Sequence, residues 1–292
     1  MDQHQEVGPQ FDGEHGCADR ITPDVQGCGD VVNVTGSLIV NADDWGSDCN
    51  TTNRTLECVS RRVVSSVSGM VFMKDSERAA MLALERGIDV GLHLNFTTPF
   101  SALQCSSKLV EHQERCRRFL ISHRFAPVVY HPGLKESFRY VAESQKDEFG
   151  RLYSCRPCRI DGHHHMHLCA NVLLGDLLPP GIIVRRNFSF KRGERGPINR
   201  AYRILEDWWL ARRYRITDFF FSLRPVIPDS RLESICSLSD RYSVEVETHP
   251  SNPEEFRFLL SEEWVRYAGT GKLARGYRIG LDACVYSSKG LL

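Results

Sequence analysis

Short apolar runs alternate with longer amphipathic stretches along the chain from Ser37 onward. The runs are rich in Val, Ile, Leu and Phe, which is typical of the buried strands of a parallel sheet. The stretches between them place apolar residues three or four positions apart, as helices do. We therefore predict seven strands, at 37–42, 63–72, 89–95, 158–162, 182–186, 216–221 and 242–248.

Helical patterns fill most of the intervals between these runs. In the helix predicted over 76–87, Ser76 is a candidate N-cap and Gly87 stands just past the end. Strands that alternate with helices predict an α/β fold with a parallel sheet, and both a closed or partly closed barrel and an open doubly wound sheet fit. Further helices are predicted around Leu56 and Val59, over 165–178, near 198–213, near 229–238 and over 253–264, and an irregular helical insertion near 97–156 has patches at 106–123 and 132–149.

Residues 1–36 lack this periodicity and are rich in Gly, Asp, Gln and Val, so we interpret them as a mobile tail before a domain at 37–292. The N-terminus has neither the basic region nor the apolar core of a signal peptide. Every apolar run is far shorter than the roughly 18 residues of a membrane span. We therefore expect a cytoplasmic protein without a membrane partner, whose eleven cysteines are mostly reduced thiols.

The charge composition argues against a nucleic-acid partner. Lys plus Arg and Asp plus Glu both number 37, so there is no basic excess to neutralise a phosphate backbone. Neither a G-x-G-x-x-G nor a Walker loop occurs, so a nucleotide cofactor is not predicted. We expect a small-molecule substrate, and the composition leaves a homodimer open.

Residues that can bind a metal or transfer a proton collect where the predicted strands end. Because the C-terminal ends of parallel strands converge on one face, side chains placed there come together in a single site. Taken alone, a carboxylate pair after a strand is often a helix cap, and a single histidine in an apolar strand is often a core residue. The residues are Asp43, Asp44, His93, His163, Arg185 and His249.

Four histidines within 163–167 are harder to explain by packing, and we expect one direct ligand with the others supporting it or facing substrate. One carboxylate and two imidazoles suit a divalent ion such as zinc and leave positions for water and substrate. Non-haem iron oxygenases use the same set, but a second carboxylate beside the ligand favours hydrolysis. Cys155 and Cys158 lie too close to His163 for a zinc-finger module, so we interpret them as incidental thiols.

Five segments resemble, in the same order, the YdjC-like family of carbohydrate deacetylases, which includes chitooligosaccharide and hopanoid-linked deacetylases. The segments are LIVNADDWG (38–46), VGLHLNFTTP (90–99), RIDGHHHMH (159–167), Gly181 to Arg185, and ETHPSNPEE (247–255). The resemblance implies an irregular (β/α) barrel related to polysaccharide deacetylases, with the active site at the C-terminal ends of its strands.

The resemblance also implies roles for individual residues. Asp44, His93 and His163 would bind the metal, zinc or magnesium, while Asp43 would be the general base and His249 the general acid. From its place at a strand end, Arg185 is expected to orient Asp43 or to contact substrate. The implied reaction is hydrolysis of an N-acetyl group from an acetylated amino sugar or oligosaccharide.

Three residues depart from the family pattern. Trp45 replaces a Phe, Arg159 replaces the first His of the histidine motif, and Gly162 replaces a Ser. None of these changes removes a proposed ligand or base, so they bear on the shape of the pocket rather than on the chemistry. Two alternatives stay open: another metal-dependent amide or ester hydrolase with the same site, or a non-catalytic sugar- or metal-binding protein of the same fold.

Overall fold

The computed structural model describes residues 36–189, 196–224, 231–268 and 273–277. The described residues belong to one compact unit, Val34–Leu292. The mobile tail predicted over residues 1–36 lies outside the described residues, apart from its last position.

The described residues form a seven-stranded parallel sheet in the order β5-β4-β3-β2-β1-β7-β6. The sheet is curled, and its edges approach each other where Ile183 forms a parallel bridge with Arg215, just ahead of β6. The predicted α/β barrel is therefore confirmed as a curled, partly closed barrel. The strands are β1 (Ser37–Trp45), β2 (Ser66–Gly69), β3 (Val90–Leu94), β4 (Arg159–Gly162), β5 (Ile183–Val184), β6 (Phe219–Ser222) and β7 (Ser243–Thr248).

Helices connect these strands. Between β3 and β4, in the irregular segment near 97–156, lie two long helices that pack on each other, α3 and α4. Across the described part of the chain, no helix is long and apolar enough to cross a membrane. The α-helices are α1 (Cys49–Ser60), α2 (Ser76–Arg86), α3 (Ser107–Leu120), α4 (Lys135–Tyr153), α5 (Ala170–Leu173), α6 (Pro197–Ala211), α7 (Arg231–Leu238), α8 (Pro253–Leu259) and α9 (Glu262–Ala268).

The sheet has an apolar outer face and a polar inner face. In β1, Leu38, Val40 and Ala42 join the hydrophobic core, while the alternating Asn41 and Asp43 point to the opposite side. The strand register continues this arrangement into the neighbouring strands, because paired positions of parallel strands share a face. The pairs on the polar face include Asn41 with Ser66, Asn41 with Glu247, and His93 with Asp161.

Several predicted elements differ from the structure. The helix predicted over 165–178 is replaced by a short 3-10 segment, His163–Leu168, and by the single turn of α5. The cause is a left-handed backbone at His164 and His165, with φ of 54° and 59°, which a continuous helix cannot contain. The helix predicted over 253–264 divides into α8 and α9, and the strand predicted over 63–72 is limited to β2.

The N-cap prediction for α2 is also wrong. Asp75 precedes the helix, and the Ser76 hydroxyl turns back to donate a hydrogen bond to the Met70 carbonyl at 2.8 Å. Gly87 does end the helix, in the left-handed conformation with φ of 61° that glycine adopts without strain.

Candidate active site

The end of β1 carries two adjacent aspartates, both of which reach the same site. In a regular strand neighbouring side chains point to opposite faces, so a pair of this kind requires a break in the pleat. The break is present, because the pairing of β1 with β2 shifts register between Ala42 and Trp45, and Asp44 has a φ of 64°. This local distortion turns Asp44 toward the side on which Asp43 lies.

Asp44, His93 and His163 form a group that could hold a metal ion. One ligand atom from each residue lies within 4.8 Å of the other two. The Asp44 Oδ1 atom is 2.9 Å from His163 Nδ1 and 3.4 Å from His93 Nε2. The residues come from the ends of β1 and β3 and from the turn after β4, so three strand ends supply one cluster.

The electrostatics of this group favour a positive charge. Burial by itself would raise the pKa of Asp44, but the hydrogen bonds to His163 and His93 hold it well below its usual value. Burial would lower the pKa of His93, yet Asp43, Asp161 and Asp44 together raise it to about 10. A site that favours a proton so strongly also suits a cation, and one carboxylate with two imidazoles is a normal donor set for a divalent ion.

Asp161 orients His93 and was not singled out from the sequence. Its Oδ1 atom lies 2.8 Å from His93 Nδ1, so His93 donates this hydrogen bond and the ring is held with Nε2 turned toward Asp44. The other oxygen, Oδ2, accepts from Ser68 at 2.5 Å and lies 3.1 Å from both Arg159 and Arg185. The available signal was Arg159 and Asp161 at a spacing of two in a buried strand, where charged residues need partners.

Asp43 is held by Arg185 and is not part of the group formed by Asp44, His93 and His163. Two guanidinium nitrogens of Arg185 donate to the two Asp43 oxygens at 2.7 Å each, and Asn41 donates to Asp43 Oδ1 at 2.7 Å. Burial would raise the pKa of Asp43, but Arg185 and His93 outweigh it and hold the pKa below its usual value. The carboxylate is therefore ionised and fixed, 4.0 Å from His93 Nε2.

A second combination, Asp43 with His93 and Asp161, also places three potential ligand atoms within 4.8 Å. It fits a metal poorly, because both oxygens of each carboxylate already accept hydrogen bonds from arginine, asparagine, serine or histidine. His93 would also have to give up its bond to Asp161. The donor set of Asp44, His93 and His163 has no such competition from arginine.

The remaining histidines of the 163–167 run surround the site. His164 Nδ1 lies 3.0 Å from the Thr97 hydroxyl, and His165 Nε2 lies 3.6 Å from Glu247. His167 is fully buried and its Nε2 donates to the Arg185 carbonyl at 3.0 Å, so it supports the residue that holds Asp43. A methyl group at Gly162 would come within 2.9 Å of the His167 backbone nitrogen, so glycine lets this turn pack closely against His167.

His249 follows directly after β7, and its side chain is about one-third exposed. Its backbone nitrogen donates to Glu255 at 2.7 Å, and the residue lines an open surface pocket of about 550 Å³ with Ser222 and Arg224. The N-cap of α8 is Asn252, whose side chain accepts hydrogen bonds from the backbone nitrogens of Glu254 and Glu255, so His249 does not cap this helix.

The three residues that differ from the family pattern, Trp45, Arg159 and Gly162, are all buried. Trp45 is fully buried in the hydrophobic core, as is Phe96, so neither offers a face to a sugar. The Arg159 guanidinium fills the space beside Gly91, where an added methyl group would lie 2.5 Å from the guanidinium carbon. Among the described residues, Cys155 and Cys158 belong to no group that could hold a metal ion.

Comparison with known proteins adds to this geometry. The model of the YdjC-like protein family matches residues 37–267, which is most of the chain. This chain belongs to the YdjC-like family. The resemblance seen in the sequence motifs is therefore confirmed, and the matched segment contains all six residues singled out at the strand ends.

Individual relatives are more distant. A chitooligosaccharide deacetylase of Proteus mirabilis is 28% identical over 137 residues, covering 45% of this chain and 50% of the relative. One from Serratia marcescens is 30% identical over 137 residues with the same coverage of both chains. The chain thus spans about half the length of the curated relatives it matches.

One solved structure supports the fold. It is a protein of Enterococcus faecalis provisionally named a cellobiose-phosphate cleavage protein, 19% identical, with a TM-score of 0.55 over 82% of this chain and 97% of that one. At this identity the likeness shows the fold alone.

Proposed function

We propose that this chain is a metal-dependent hydrolase that removes the acetyl group from an acetylated amino sugar or oligosaccharide. The observation that carries the proposal is that the two adjacent aspartates at the end of β1 have different partners. Asp44 joins two imidazoles in a group suited to a divalent ion, while the next carboxylate, Asp43, is held by Arg185. The names of the relatives supply the substrate class, chitooligosaccharides.

Asp44, His93 and His163 would hold the ion, zinc or magnesium. Once bound, such an ion polarises the acetyl carbonyl and lowers the pKa of a water molecule beside it. The bond from His93 Nδ1 to Asp161 fixes the ring so that Nε2 faces the ion. This arrangement leaves positions for water and substrate, as catalytic sites of this kind require.

Asp43 is assigned the role of general base. Arg185 keeps it ionised, so it can accept the proton of the attacking water. The two-pronged contact also fixes the direction of the carboxylate, which matters because proton transfer depends on alignment. A non-catalytic binding protein would gain nothing from a base held in this way.

His249 is assigned the role of general acid toward the departing amine. It follows β7 beside an open surface pocket and is about one-third exposed, unlike the buried His167. Pro250 follows it and restricts His249 to extended backbone geometry, which directs the ring consistently.

The test is acetate release. The protein is stripped with a chelator, reloaded with zinc or magnesium, and incubated with N-acetylglucosamine and its β-1,4-linked oligomers while metal content is measured on the same sample. We expect acetate release in proportion to bound metal. Turnover of other amides or esters with no acetate from any amino sugar would favour a different hydrolase, and metal binding without turnover of any substrate would favour a binding protein.

A further inference from the structure

Helix α6 presents an apolar face to solvent. Its buried residues are Glu206 and Leu210, Trp209 is partly buried against the core, and five other large apolar side chains are exposed. Isolated exposed apolar residues are ordinary, but a cluster within three turns of one helix marks an interaction surface. The exposed fractions are 85% for Ile198, 42% for Tyr202, 65% for Ile204, 63% for Leu205 and 52% for Trp208.

Two arginines just after the last residue of this helix lie against its tryptophans. Arg212 is exposed and its guanidinium carbon lies 3.2 Å from the centre of the Trp208 ring. Arg213 is about half exposed and lies over Trp209, while Arg200 and Arg203 are half-buried near the start of the helix.

The acidic residues nearby are already engaged. Glu206 is buried and accepts hydrogen bonds from Asn187 and Tyr202, and Asp207 pairs with Arg186 at 2.7 Å. Asp218 accepts from Ser243, and the Asp176 carboxylate lies 3.5 Å from Arg213. Because Arg213 is offset by Asp176, the positive charge that this surface offers to a partner comes mainly from Arg212.

We propose that α6 is a membrane-surface helix that binds anionic lipid headgroups and inserts its apolar face at the boundary of the acyl chains. Apolar side chains that include a tryptophan, flanked by arginines, are the composition that favours such adsorption. Arginines near an anionic leaflet add electrostatic attraction. This mode needs no spanning helix, so it goes beyond the sequence-based expectation of no membrane partner, which rested on the lack of a spanning segment.

The charge pattern argues against a second copy of the chain as the occupant. Two copies of α6 packed face to face would bring arginines against arginines, in either orientation, without an unengaged carboxylate on the helix to compensate them. Like charges placed together at an interface oppose association. An anionic lipid surface complements the same arginines. The proposal is independent of the deacetylase activity.

The test is co-sedimentation of the full chain with vesicles of phosphatidylcholine alone or mixed with phosphatidylglycerol, at low and high salt. We expect binding to the mixed vesicles that weakens with salt. The variants Ile198→Ser/Leu205→Ser and Arg212→Glu/Arg213→Glu should each lower the partition coefficient about tenfold or more. These positions are solvent-accessible, so circular dichroism should show an unchanged fold.

Matched variants carry the same changes elsewhere on the surface. Leu103→Ser/Leu174→Ser removes two leucines that are 102% and 67% exposed, and Arg117→Glu/Arg118→Glu reverses two charges on α3. Both should bind like the unmodified chain. The proposal is overturned if the chain does not bind anionic vesicles, if it binds neutral vesicles equally well, or if the α6 variants bind anionic vesicles like the unmodified chain. A dimer in light scattering that the α6 variants disperse would assign this face to a second copy instead.

Discussion

Arg185 and Asp43 form a two-pronged ion pair, with both terminal nitrogens of the guanidinium donating to the carboxylate at 2.7 Å. Both side chains are almost completely buried, so solvent does not screen the contact. The two adjacent aspartates therefore have different partners: Asp43 pairs with an arginine, while Asp44 contacts the imidazoles of His93 and His163.

Replacing Arg185 with lysine tests this separation. Lysine keeps the charge but has no planar fork, so Asp43 should lose its fixed direction while Asp44 keeps its partners. We expect metal content to stay normal and turnover to fall about 100-fold, the usual effect of a misplaced catalytic group. The neighbouring Arg186→Lys variant is the control, because Arg186 pairs with Asp207 instead. Loss of metal in Arg185→Lys would mean that the arginine also supports the metal ligands, for example through its contact with Asp161.

Asp161→Asn tests the orientation of His93. An amide in place of the carboxylate weakens the acceptor for His93 Nδ1, so the affinity for zinc should fall about 10- to 100-fold when measured by calorimetric titration. Glu206→Gln, which changes another buried carboxyl group without contact to His93, should bind zinc normally. Equal zinc affinities in both variants would show that Asp161 does not orient His93 for metal binding.

The order of strands and helices could be predicted from the sequence because each buried strand is a short apolar run between helical patterns. The ends of the strands could also be predicted from the sequence. The residues expected to gather there, at one edge of the sheet, were those at 43, 44, 93, 163, 185 and 249. The structure brings Asp44, His93 and His163 together and places Asp43 with Arg185 beside them. His249 lies at the end of β7, in contact with Glu255.

Other features depend on tertiary contacts that the apolar periodicity of the sequence does not predict. Asp161 lies in the middle of a buried strand, and its partners Ser68, Arg159 and Arg185 come from three different strands or strand ends. The predicted helix over 165–178 was wrong because His164 and His165 adopt positive φ, which sequence propensity for these residues does not favour. The local break that turns Asp44 into the site is likewise set by the pairing of β1 with β2.

His167 gives the protein a pH dependence of stability. Burial lowers its pKa from 6.5 to about 4, although the bond to the Arg185 carbonyl opposes the shift. Between these values the unfolded chain binds a proton that the folded chain does not, so stability rises with pH and is lost on acidification. The contribution is about 1.4 kcal/mol per pH unit across this window.

Chemical denaturation at a series of pH values measures this contribution. In His167→Gln the amide nitrogen can still donate to Arg185, but the titrating group is gone, so the slope should decrease below pH 6.5. His123→Gln, a change at an exposed histidine, should keep the original slope. An unchanged slope in His167→Gln would place the acid sensitivity in other residues.

The variant His249→Ala tests whether His249 acts as a general acid or as a metal ligand. We expect normal metal content and turnover of the N-acetyl substrate reduced by about 10²–10⁴, the usual contribution of a positioned proton donor. An ester analogue should be affected less, because its alkoxide leaving group depends less on protonation than an amine does. His131→Ala, in the segment between α3 and α4, is the control. Metal loss or full amide turnover in His249→Ala would rule out the acid role.

The most direct measurement of the central claim compares Asp43→Asn with Asp44→Asn, scoring bound metal and acetate release on the same samples. Asp48→Asn is the control, because Asp48 caps α1 and asparagine caps helices equally well. We predict that Asp44→Asn loses the metal, since a neutral amide is a poorer ligand, and that Asp43→Asn keeps the metal but loses about 10²–10⁴ in turnover. A metal-free Asp43→Asn beside a metal-replete Asp44→Asn would reverse the two roles, and full acetate release by both variants would contradict the account.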